Sequence, residues 1–482
     1  MISKHKRKKN TPAFFVILLI FLFNPFTLEA KFITQLVPTL SITEEYTDNY
    51  FKTENDKFEE YTTTYGLGFS LGFLEKKHKI YLNYNPEYKD FKYLDDYDGL
   101  DHIISLDGNS TPSKYSNISY GLLFEDLNAE RYGQSSESST YANGDVQATK
   151  NTGLHFSQKY ARIFDEQERT GFYREYDQNN TSAGVVYDFG KNDAFGFDYE
   201  YSFRDYTTAN IDSHTKHQPS AFINYWFKPQ LGLDSNFYYS NIDYDAVLGA
   251  DKKTYSGDVR LLKKFTKYLG SYVKYRQTYT DEKYLGTYQT YFPSIGIDWQ
   301  PTDDSGIILG VGLLFHNWED RLVQTDYDDT EPFVEFDMYK VFDFSKRGSF
   351  SITGSSGYDE TDDEAASLGF RIYYRAGCVY TYQLTRRVST DITTSYSSNI
   401  YKEPIEDRTD NEFNFRAGLS WSPLRWLRLS ASYIFTDFDS TSSRQDYREN
   451  KGLLSVSFIP VTPIRFDAPA TRKALEEKIF NY

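Results

Sequence analysis

The chain has 482 residues, a formal net charge of −16, one cysteine and an aromatic content of 18%. A charge this negative excludes a protein that binds nucleic acid through a basic surface, and the lone Cys378 excludes an internal disulfide. The mean hydropathy of −0.63 would suit a soluble protein. Membrane strands escape this measure, however, because only every second residue of such a strand meets lipid.

The N-terminus has the features of a secretory signal peptide. Five basic residues lie within positions 4–9, an apolar run follows from Ala13 to Phe23, and Leu28-Glu29-Ala30 offers a cleavage site. The alternative is an uncleaved anchor, but the run is short of the about 20 residues that span a bilayer. Removing residues 1–30 takes away five positive charges and one negative charge, which lowers the net charge to −20. We therefore expect an exported protein with a cleaved signal peptide.

Strand alternation is clearest between Tyr61 and Phe73, which read Y-T-T-T-Y-G-L-G-F-S-L-G-F. From Tyr65 on, the odd positions are large and apolar, and the even positions are Thr, Ser or Gly. Alternate side chains of a strand point to opposite faces, so one face is apolar and the other small and polar. No helical segment is available to cover the apolar face. This predicts an all-β fold, a transmembrane antiparallel up-and-down β-barrel with lipid against that face.

The alternation recurs along the chain in hairpins with tight turns, and predicts about 22 strands, within a range of about 18 to 24. The first strand is expected at Pro38–Tyr46 and the last at Gly452–Phe458. Residues 100–180 are poorly patterned. Residues 31–460 would form the barrel, with no plug domain, and residues 461–482 a short periplasmic tail with a helix candidate at Ala470–Phe480.

Polar segments between the hairpins are rich in Asp and Glu, which predicts acidic outer loops. The segments 95–101, 326–329 and 359–364 carry oxygen ligands that would suit Ca²⁺, but none has EF-hand spacing. We expect solvated loops, with no metal and no cofactor. Catalytic motifs are also missing: no G-x-S-x-G occurs, and His316 with Asp320 is the only acid–base neighbourhood of note. The sequence therefore predicts a protein that is not an enzyme.

Charged residues in the register opposite the apolar one are expected to line the lumen, because a charge on the lipid face costs a few kcal/mol near mid-membrane. One interpretation is a network of cross-strand pairs that stiffens the wall. The other is a conduit for an anionic chain, with Arg371/Arg375 and Lys274/Arg276 as weak repeated sites. The candidates are Lys159, Asp198, Glu200, Arg204, Asp258, Arg260, Lys274, Arg276, Glu335, Asp337, Arg371, Arg375, Asp391, Arg416 and Arg428.

The segment P-T-L-S-I-T-E-E-Y-T-D-N, residues 38–49, resembles the first strand and first loop of a family of outer-membrane β-barrel porins associated with exopolysaccharide-production loci. The resemblance implies a barrel without a plug that serves polysaccharide export or a related envelope function. It implies no catalytic residue.

Together these observations predict a monomeric barrel in the outer membrane of a Gram-negative bacterium. Its function would be passage of a polar polymer or solute, as part of an exopolysaccharide export system. A general diffusion porin is one alternative, with Glu125–Lys150 as the loop that constricts the lumen. A closed structural or adhesive barrel, whose outer loops bind partners, is another. The expected partners are outer-membrane lipid and lipopolysaccharide, the barrel-assembly machinery and, as cargo, a polysaccharide; nucleic acid is not among them.

Overall fold

The computed structural model describes residues 33–127, 135–167, 172–207, 213–245, 251–284, 286–320, 325–360, 370–402, 408–441 and 446–466. The expected signal peptide and the helix candidate at Ala470–Phe480 lie outside the described residues. Among the residues described, the helical structure is one 3₁₀ turn at Asp95–Tyr97. No helix in these ranges is long and apolar enough to cross a bilayer.

The described chain is a succession of antiparallel strands. They are β1 Ile33–Thr47, β2 Glu60–Leu74, β3 His78–Tyr84 continued as Glu87–Phe91, β4 Gly99–Ser113, β5 Ser116–Leu127, β6 Ser135–Gln147, β7 Thr152–Gln167, β8 Phe172–Asp188, β9 Ala194–Tyr206, β10 His214–Lys228, β11 Leu231–Tyr244, β12 Lys252–Lys264, β13 Leu269–Glu282, β14 Gly286–Thr302, β15 Ser305–Asp320, β16 Thr325–Ser345, β17 Gly348–Glu360, β18 Phe370–Gln383, β19 Val388–Lys402, β20 Arg408–Leu424, β21 Leu427–Ser440, β22 Tyr447–Phe458 and the short β23 Ile464–Arg465.

The strands β1 to β22 close into one barrel. Each pairs antiparallel with its neighbour in the sequence, and β22 pairs with β1 through rungs such as Phe458 with Leu40. Both parts of β3 pair with β2 and β4 in one register, and Pro86, which has no N–H to donate, lies at the break between them. The expected 22 strands are thus confirmed. β23 adds two residues to the edge of β1, beyond the expected end of the barrel.

Large apolar side chains of one register face outward around the barrel. Leu67, Ile295 and Leu454 are each more than 60% exposed, which is intolerable in water for so many residues and natural in lipid. Tyr and Phe of the same register continue this belt between neighbouring strands, as Phe197 and Tyr199 do on β9. The apolar register predicted from the sequence is therefore the lipid-facing one along most of the wall.

Residues 100–180 form regular strands, although their outward register is not uniformly apolar. The outward positions of β6, β7 and β8 include Thr140, Gln158, Asn179 and Thr181, and Gln158 Nε2 donates to Asn179 Oδ1 at 3.2 Å. This is why alternation fails there as a sequence signal. The expectation that Glu125–Lys150 forms a constriction loop is wrong, because most of this segment is wall, at the end of β5 and in β6.

Several segments predicted as long polar loops are also strand. β15 extends to Asp320 and β16 begins at Thr325. In the same way, β19 extends to Lys402 and β20 begins at Arg408. Their polar side chains belong to a wall that rises above the apolar belt. The connections at this end are therefore shorter than the sequence predicted, and the opposite end has turns of two to five residues. By the usual asymmetry of such barrels, the tight turns mark the periplasmic end.

Candidate functional site: the barrel lumen

The lumen wall carries every one of the fifteen charged candidates, since strand register places each of them on the face opposite the apolar belt. Contacts that bridge distant strands identify this face as the concave one. Lys274 Nζ on β13 lies 2.8 Å from Glu335 Oε1 on β16, with β14 and β15 between them. Side chains can meet over two intervening strands only on the inside of the curve.

The barrel wall opens between β16 and β17. Their pairing stops at Phe336 and Ser356, and above this rung residues 357–360 pair with β18 alone. The Ser356 hydroxyl bridges the gap, because it accepts from the Phe336 amide at 3.0 Å and donates to the Val334 carbonyl at 2.7 Å. Beyond this point the ends of β17, β18 and β19 lie against the inner wall of β14 to β16.

Apolar packing holds these strand ends inside the lumen. We call this region, the inner wall of β13–β16 with the ends of β17–β19 folded onto it, the packed sector. The Phe292 ring lies 5.3 Å from that of Phe333 and 5.9 Å from that of Tyr358. Tyr358 belongs to the same register as Phe350, which faces lipid lower on β17. The buried cluster comprises Tyr288, Phe292, Leu314, Trp318, Phe333, Tyr358, Phe370 and Ile372.

Charged groups join the folded strand ends to the inner wall. The Arg276 guanidinium on β13 lies 4.3 Å from the centroid of the Tyr358 ring and donates to the Tyr358 carbonyl at 3.0 Å. Lys402 Nζ at the end of β19 lies 3.4 Å from Glu331 Oε2 on β16. His316, buried against Trp318, has Nε2 3.9 Å from Glu331 Oε1. The packed sector is thus closed by aromatic packing and by charge pairs across the layer.

Most other candidate charges are also paired. Arg260 lies between Asp234 at 3.2 Å and Asp298 at 3.7 Å. The Arg371 guanidinium donates to both carboxylate oxygens of Asp359. Asp198 pairs with His155, Asp258 accepts from Asn236, and Arg204 lies over Tyr176. Arg371, Lys274 and Arg276 are therefore engaged with protein groups, so the cross-strand network describes these positions better than repeated anion sites do.

Another part of the wall is different, and we call the inner face of β19–β22, β1 and β2 the open sector. Its lumen register consists largely of hydroxyls and glycines, as in Ser395 on β19, Ser432 on β21 and Ser41 on β1. Arg416 is 57% exposed in its side chain and lies 4.0 Å from Asp391. Arg428 is within ion-pair distance of no acid among the described residues.

The remaining candidates lie on other strands of the lumen wall. Arg375 on β18 lies 4.7 Å from the ring of its neighbour Tyr373 and has no carboxylate partner among the residues described. Lys159 on β7 is 49% exposed and lies 3.5 Å from Glu137. Glu200 and Asp337 face the lumen without an ion pair in the described part of the chain. Charged groups without a close ion pair therefore also occur outside the open sector.

Outer connections cover part of the mouth above β1–β3. Tyr50 of the β1–β2 connection is buried against Phe91, with ring centroids 5.8 Å apart. Phe51 and Phe58 pack beside them. Asn49 fixes the connection to the barrel, since its amide donates to the Arg448 carbonyl at 2.9 Å. In the residues described, no group of three or more His, Cys, Asp or Glu side chains is placed to bind a metal.

The packed sector was not predicted, because the alternation of Leu368, Phe370, Ile372 and Tyr374 in the sequence assigns these side chains to the lipid face. That assignment is wrong for Phe370 and Ile372: both are buried in the lumen cluster, 1% and 3% exposed. A usable signal existed in adjacent pairs of large apolar residues, such as Tyr291-Phe292 and Leu313-Leu314. One member of each pair must face the lumen, because neighbours in a strand point to opposite faces.

Residues 349–458 match the family described as Putative beta-barrel porin 2. The match comprises strands β17–β22, so the resemblance to a porin family is confirmed at the C-terminal strands rather than at residues 38–49. No curated protein matches the sequence significantly. The chain is a 22-strand β-barrel whose C-terminal strands β17–β22 are similar to those of that porin family.

Solved structures support the fold. A ferric enterobactin receptor mutant from Pseudomonas aeruginosa, in complex with enterobactin, has a TM-score of 0.54 at 8% identity, over 88% of this chain and 81% of that one. The ferric-catecholate import receptor Fiu from E. coli has a TM-score of 0.53 at 8% identity, over 89% and 81%. The siderophore receptor PirA from Acinetobacter baumannii has a TM-score of 0.52 at 8% identity, over 88% and 80%.

Outer-membrane transporters of 22 strands have a plugged lumen. In the described part of this chain no segment forms a separate domain inside the barrel. What occupies the lumen there is the wall itself, through the folded ends of β17–β19.

Proposed function

We propose that this barrel conducts polar solutes across the outer membrane along its open sector, with a preference for anions. The observation that carries the proposal is the exposure of Arg416, together with Arg428 and Arg375 nearby, on a wall of hydroxyls. Guanidinium groups spaced along a hydrated wall bind an anion weakly enough to release it, which conduction requires. The packed sector narrows the lumen without supplying such groups.

Ion selectivity tests this proposal. Purified protein in a planar bilayer with a salt gradient should show conductance steps and a reversal potential on the anion-selective side. The double variant Arg416→Glu and Arg428→Glu should keep the steps and shift the reversal potential toward cations. The matched control is Arg260→Glu with Asp234→Arg, which exchanges a pair within the wall. A silent bilayer, or a double variant with unchanged selectivity, would contradict the proposal.

Export of an exopolysaccharide is a narrower form of the same proposal. Its support is the resemblance to a porin family associated with such loci, and an anionic polymer would suit an arginine-bearing wall. Neither the matched family nor the similar receptors are described as binding a polysaccharide. Enterobactin is a ligand of the receptor with which it was solved.

A closed barrel is the second candidate, favoured by the packed sector and by the aromatic cluster of Tyr50 and Phe91 at the mouth. Its function would lie in the acidic outer connections, as a structural or adhesive protein. Folded protein that passes no current under any salt condition would favour this candidate over the conduit.

A further inference from the structure

The two ends of the barrel carry opposite charge. The periplasmic turns, taken as the residues between the strand bounds given above, contain eleven basic residues and four acidic ones. The outer connections, counted in the sequence in the same way, have 19 acidic residues and eight basic ones. The basic turn residues are Lys76, Lys77, Lys114, Lys150, Lys191, Lys267, Lys346, Arg347, Arg386, Arg387 and Arg425; the acidic ones are Glu75, Asp193, Asp303 and Asp304.

One turn at the basic, periplasmic end carries two acidic residues and no basic one. Asp303 and Asp304 form the β14–β15 turn, directly below the packed sector. Three turns carry two adjacent basic residues and lie outside the β14–β15 hairpin. They follow β2, β16 and β18 and contain Lys76-Lys77, Lys346-Arg347 and Arg386-Arg387, respectively. An anion that approaches from the periplasm is therefore attracted away from the β14–β15 turn and toward the rest of the rim.

One part of this rim forms a recess. A cleft of about 660 Å³ lies inside the turns that follow β2 and β4, and its lining includes Lys76, Lys77 and Lys114. Lys77 Nζ donates to the Pro112 carbonyl at 2.9 Å, which ties the two turns together. Lys114 lies 4.7 Å from the ring centroid of Tyr115. The ammonium groups of Lys77 and Lys114 are thus held against protein groups.

Both faces of the wall contribute to the cleft at the rim, where Val146 and Leu154 belong to the lipid-facing register. Asn117, Gln147 and His155 line it from the lumen-facing register of β5, β6 and β7. Asp145 contributes one carboxylate against the three lysines, and Asp198 pairs with His155. A chain that enters the barrel passes over the lumen-facing residues of this cleft.

We infer that this cleft, the periplasmic lysine cleft, is the docking site for a polymer that carries repeated carboxylate or phosphate groups and enters the barrel from the periplasm. The inference rests on the proposed conduit and names its substrate class and direction. Lysine ammonium groups would bind the anionic groups, and the amides of Asn117 and Gln147 would donate hydrogen bonds to hydroxyls along the chain. The acidic outer end would not retain the polymer after passage.

Polymer blockade of single channels tests the direction. The full chain is inserted in a phosphatidylcholine bilayer and polygalacturonate is added to one side, with dextran as the uncharged control. We expect blockades to be about tenfold more frequent from the periplasmic side than from the outer side, in line with electrostatic steering. Dextran should show no such asymmetry. Equal frequencies of polygalacturonate blockade from both sides would overturn the inference.

Charge reversal tests the location. The triple variant Lys76→Glu, Lys77→Glu and Lys114→Glu should lower the periplasmic blockade rate to that of the outer side. The control Lys346→Glu, Arg347→Glu and Arg386→Glu, with the same change of charge elsewhere on the rim, should keep most of the asymmetry. Equal loss in both variants would overturn the assignment to the cleft.

Binding to detergent-solubilised protein separates this inference from the proposed function. Oligogalacturonate should bind the unaltered chain and the rim control, and bind the cleft variant at least about tenfold more weakly. Binding of this pattern with a silent bilayer would contradict conduction alone, and conduction without binding would overturn the cleft alone. Short-chain phosphatidylglycerol should not displace the oligomer; displacement at the same concentration would assign the cleft to lipid headgroups and overturn the inference.

Discussion

The packed and open sectors are built from the same kind of strand, yet they fill the lumen in opposite ways. In the packed sector the lumen register carries Phe292, Leu314 and Phe333, and neighbouring strand ends fold inward to cover them. In the open sector the same register carries mostly Ser, Thr and Gly, and it is buried toward the outer end, as at Thr47 and Glu60, while Ser395 and Arg416 are exposed. The side chains of one register thus decide whether a wall faces water or a second layer of protein.

The physical reason is the cost of exposing apolar area to lumen water. Burial of a large side chain stabilises a fold by about 1.5–3 kcal/mol, so a row of aromatic residues on the lumen face favours a covering layer. The covering layer must leave the sheet, which breaks rungs between β16 and β17. Ser356 restores hydrogen bonds at that break.

The largest expected effect is on stability in the packed sector. Phe292→Ala removes a ring with no exposed area from between two layers, and should lower the free energy of unfolding by about 3–5 kcal/mol. Urea unfolding in detergent, followed by tryptophan fluorescence, measures it. The matched control is Val379→Ala, because Val379 lies in the lumen register of β18 and is 40% exposed; we expect less than about 1 kcal/mol. Equal losses in free energy would remove the distinction between the packed layer and an exposed position in the lumen register.

Loss of the charged contact to the folded strand ends should be next. Arg276→Ala removes a charged hydrogen bond to the Tyr358 carbonyl and the contact with its ring. A loss of about 1.5–3 kcal/mol should raise hydrogen exchange at residues 357–360 and 370–373 by about tenfold or more. Arg416→Ala, which removes an exposed guanidinium from the open sector, should leave these residues unchanged. The same exchange in both variants would contradict the account of the fold.

A smaller effect is expected where the wall opens. Ser356→Ala leaves the Phe336 amide without its acceptor, a cost of about 1–3 kcal/mol. Ser356→Thr keeps the hydroxyl and should recover much of the loss. Ser395→Ala, on the exposed open wall, should be near neutral in the same unfolding assay. If Ser356→Ala were also neutral, the hydroxyl bridge would not hold the edges of β16 and β17.

The smallest effect concerns an outer connection that belongs to neither sector. Lys283 donates a hydrogen bond to Asp251, which lowers the pKa of that carboxyl. A lowered folded-state pKa means that the stabilisation is present above the unfolded pKa and is lost as pH falls through the folded one. Asp251→Asn should therefore lower the unfolding midpoint slightly near neutral pH and leave it unchanged in acid. A deficit that persists in acid would point to lost packing instead.

How far the sequence predicts this molecule depends on which face of a strand is considered. The lipid face requires apolar side chains on every strand. Alternation of the kind seen at Leu67, Phe197 and Ile295 therefore predicts the barrel and its strand number. The lumen face has no such requirement, because its side chains can contact water, form charge pairs or pack against apolar groups. Phe370 and Ile372 on β18 are the plainest case: their register predicts lipid, and the break on the far side of the neighbouring strand β17 turns them inward.

Thiol labelling compares the two sectors most directly. In a Cys378→Ser background, Ser395→Cys places a thiol on the exposed open wall and Ser294→Cys places one in the packed sector, where Ser294 is 4% exposed. A bulky charged thiol reagent is added during single-channel recording. We predict that it lowers the conductance of the Ser395→Cys protein and leaves that of the Ser294→Cys protein unchanged. Equal reduction in both variants, or reduction at position 294 alone, would contradict a conduit along the open sector.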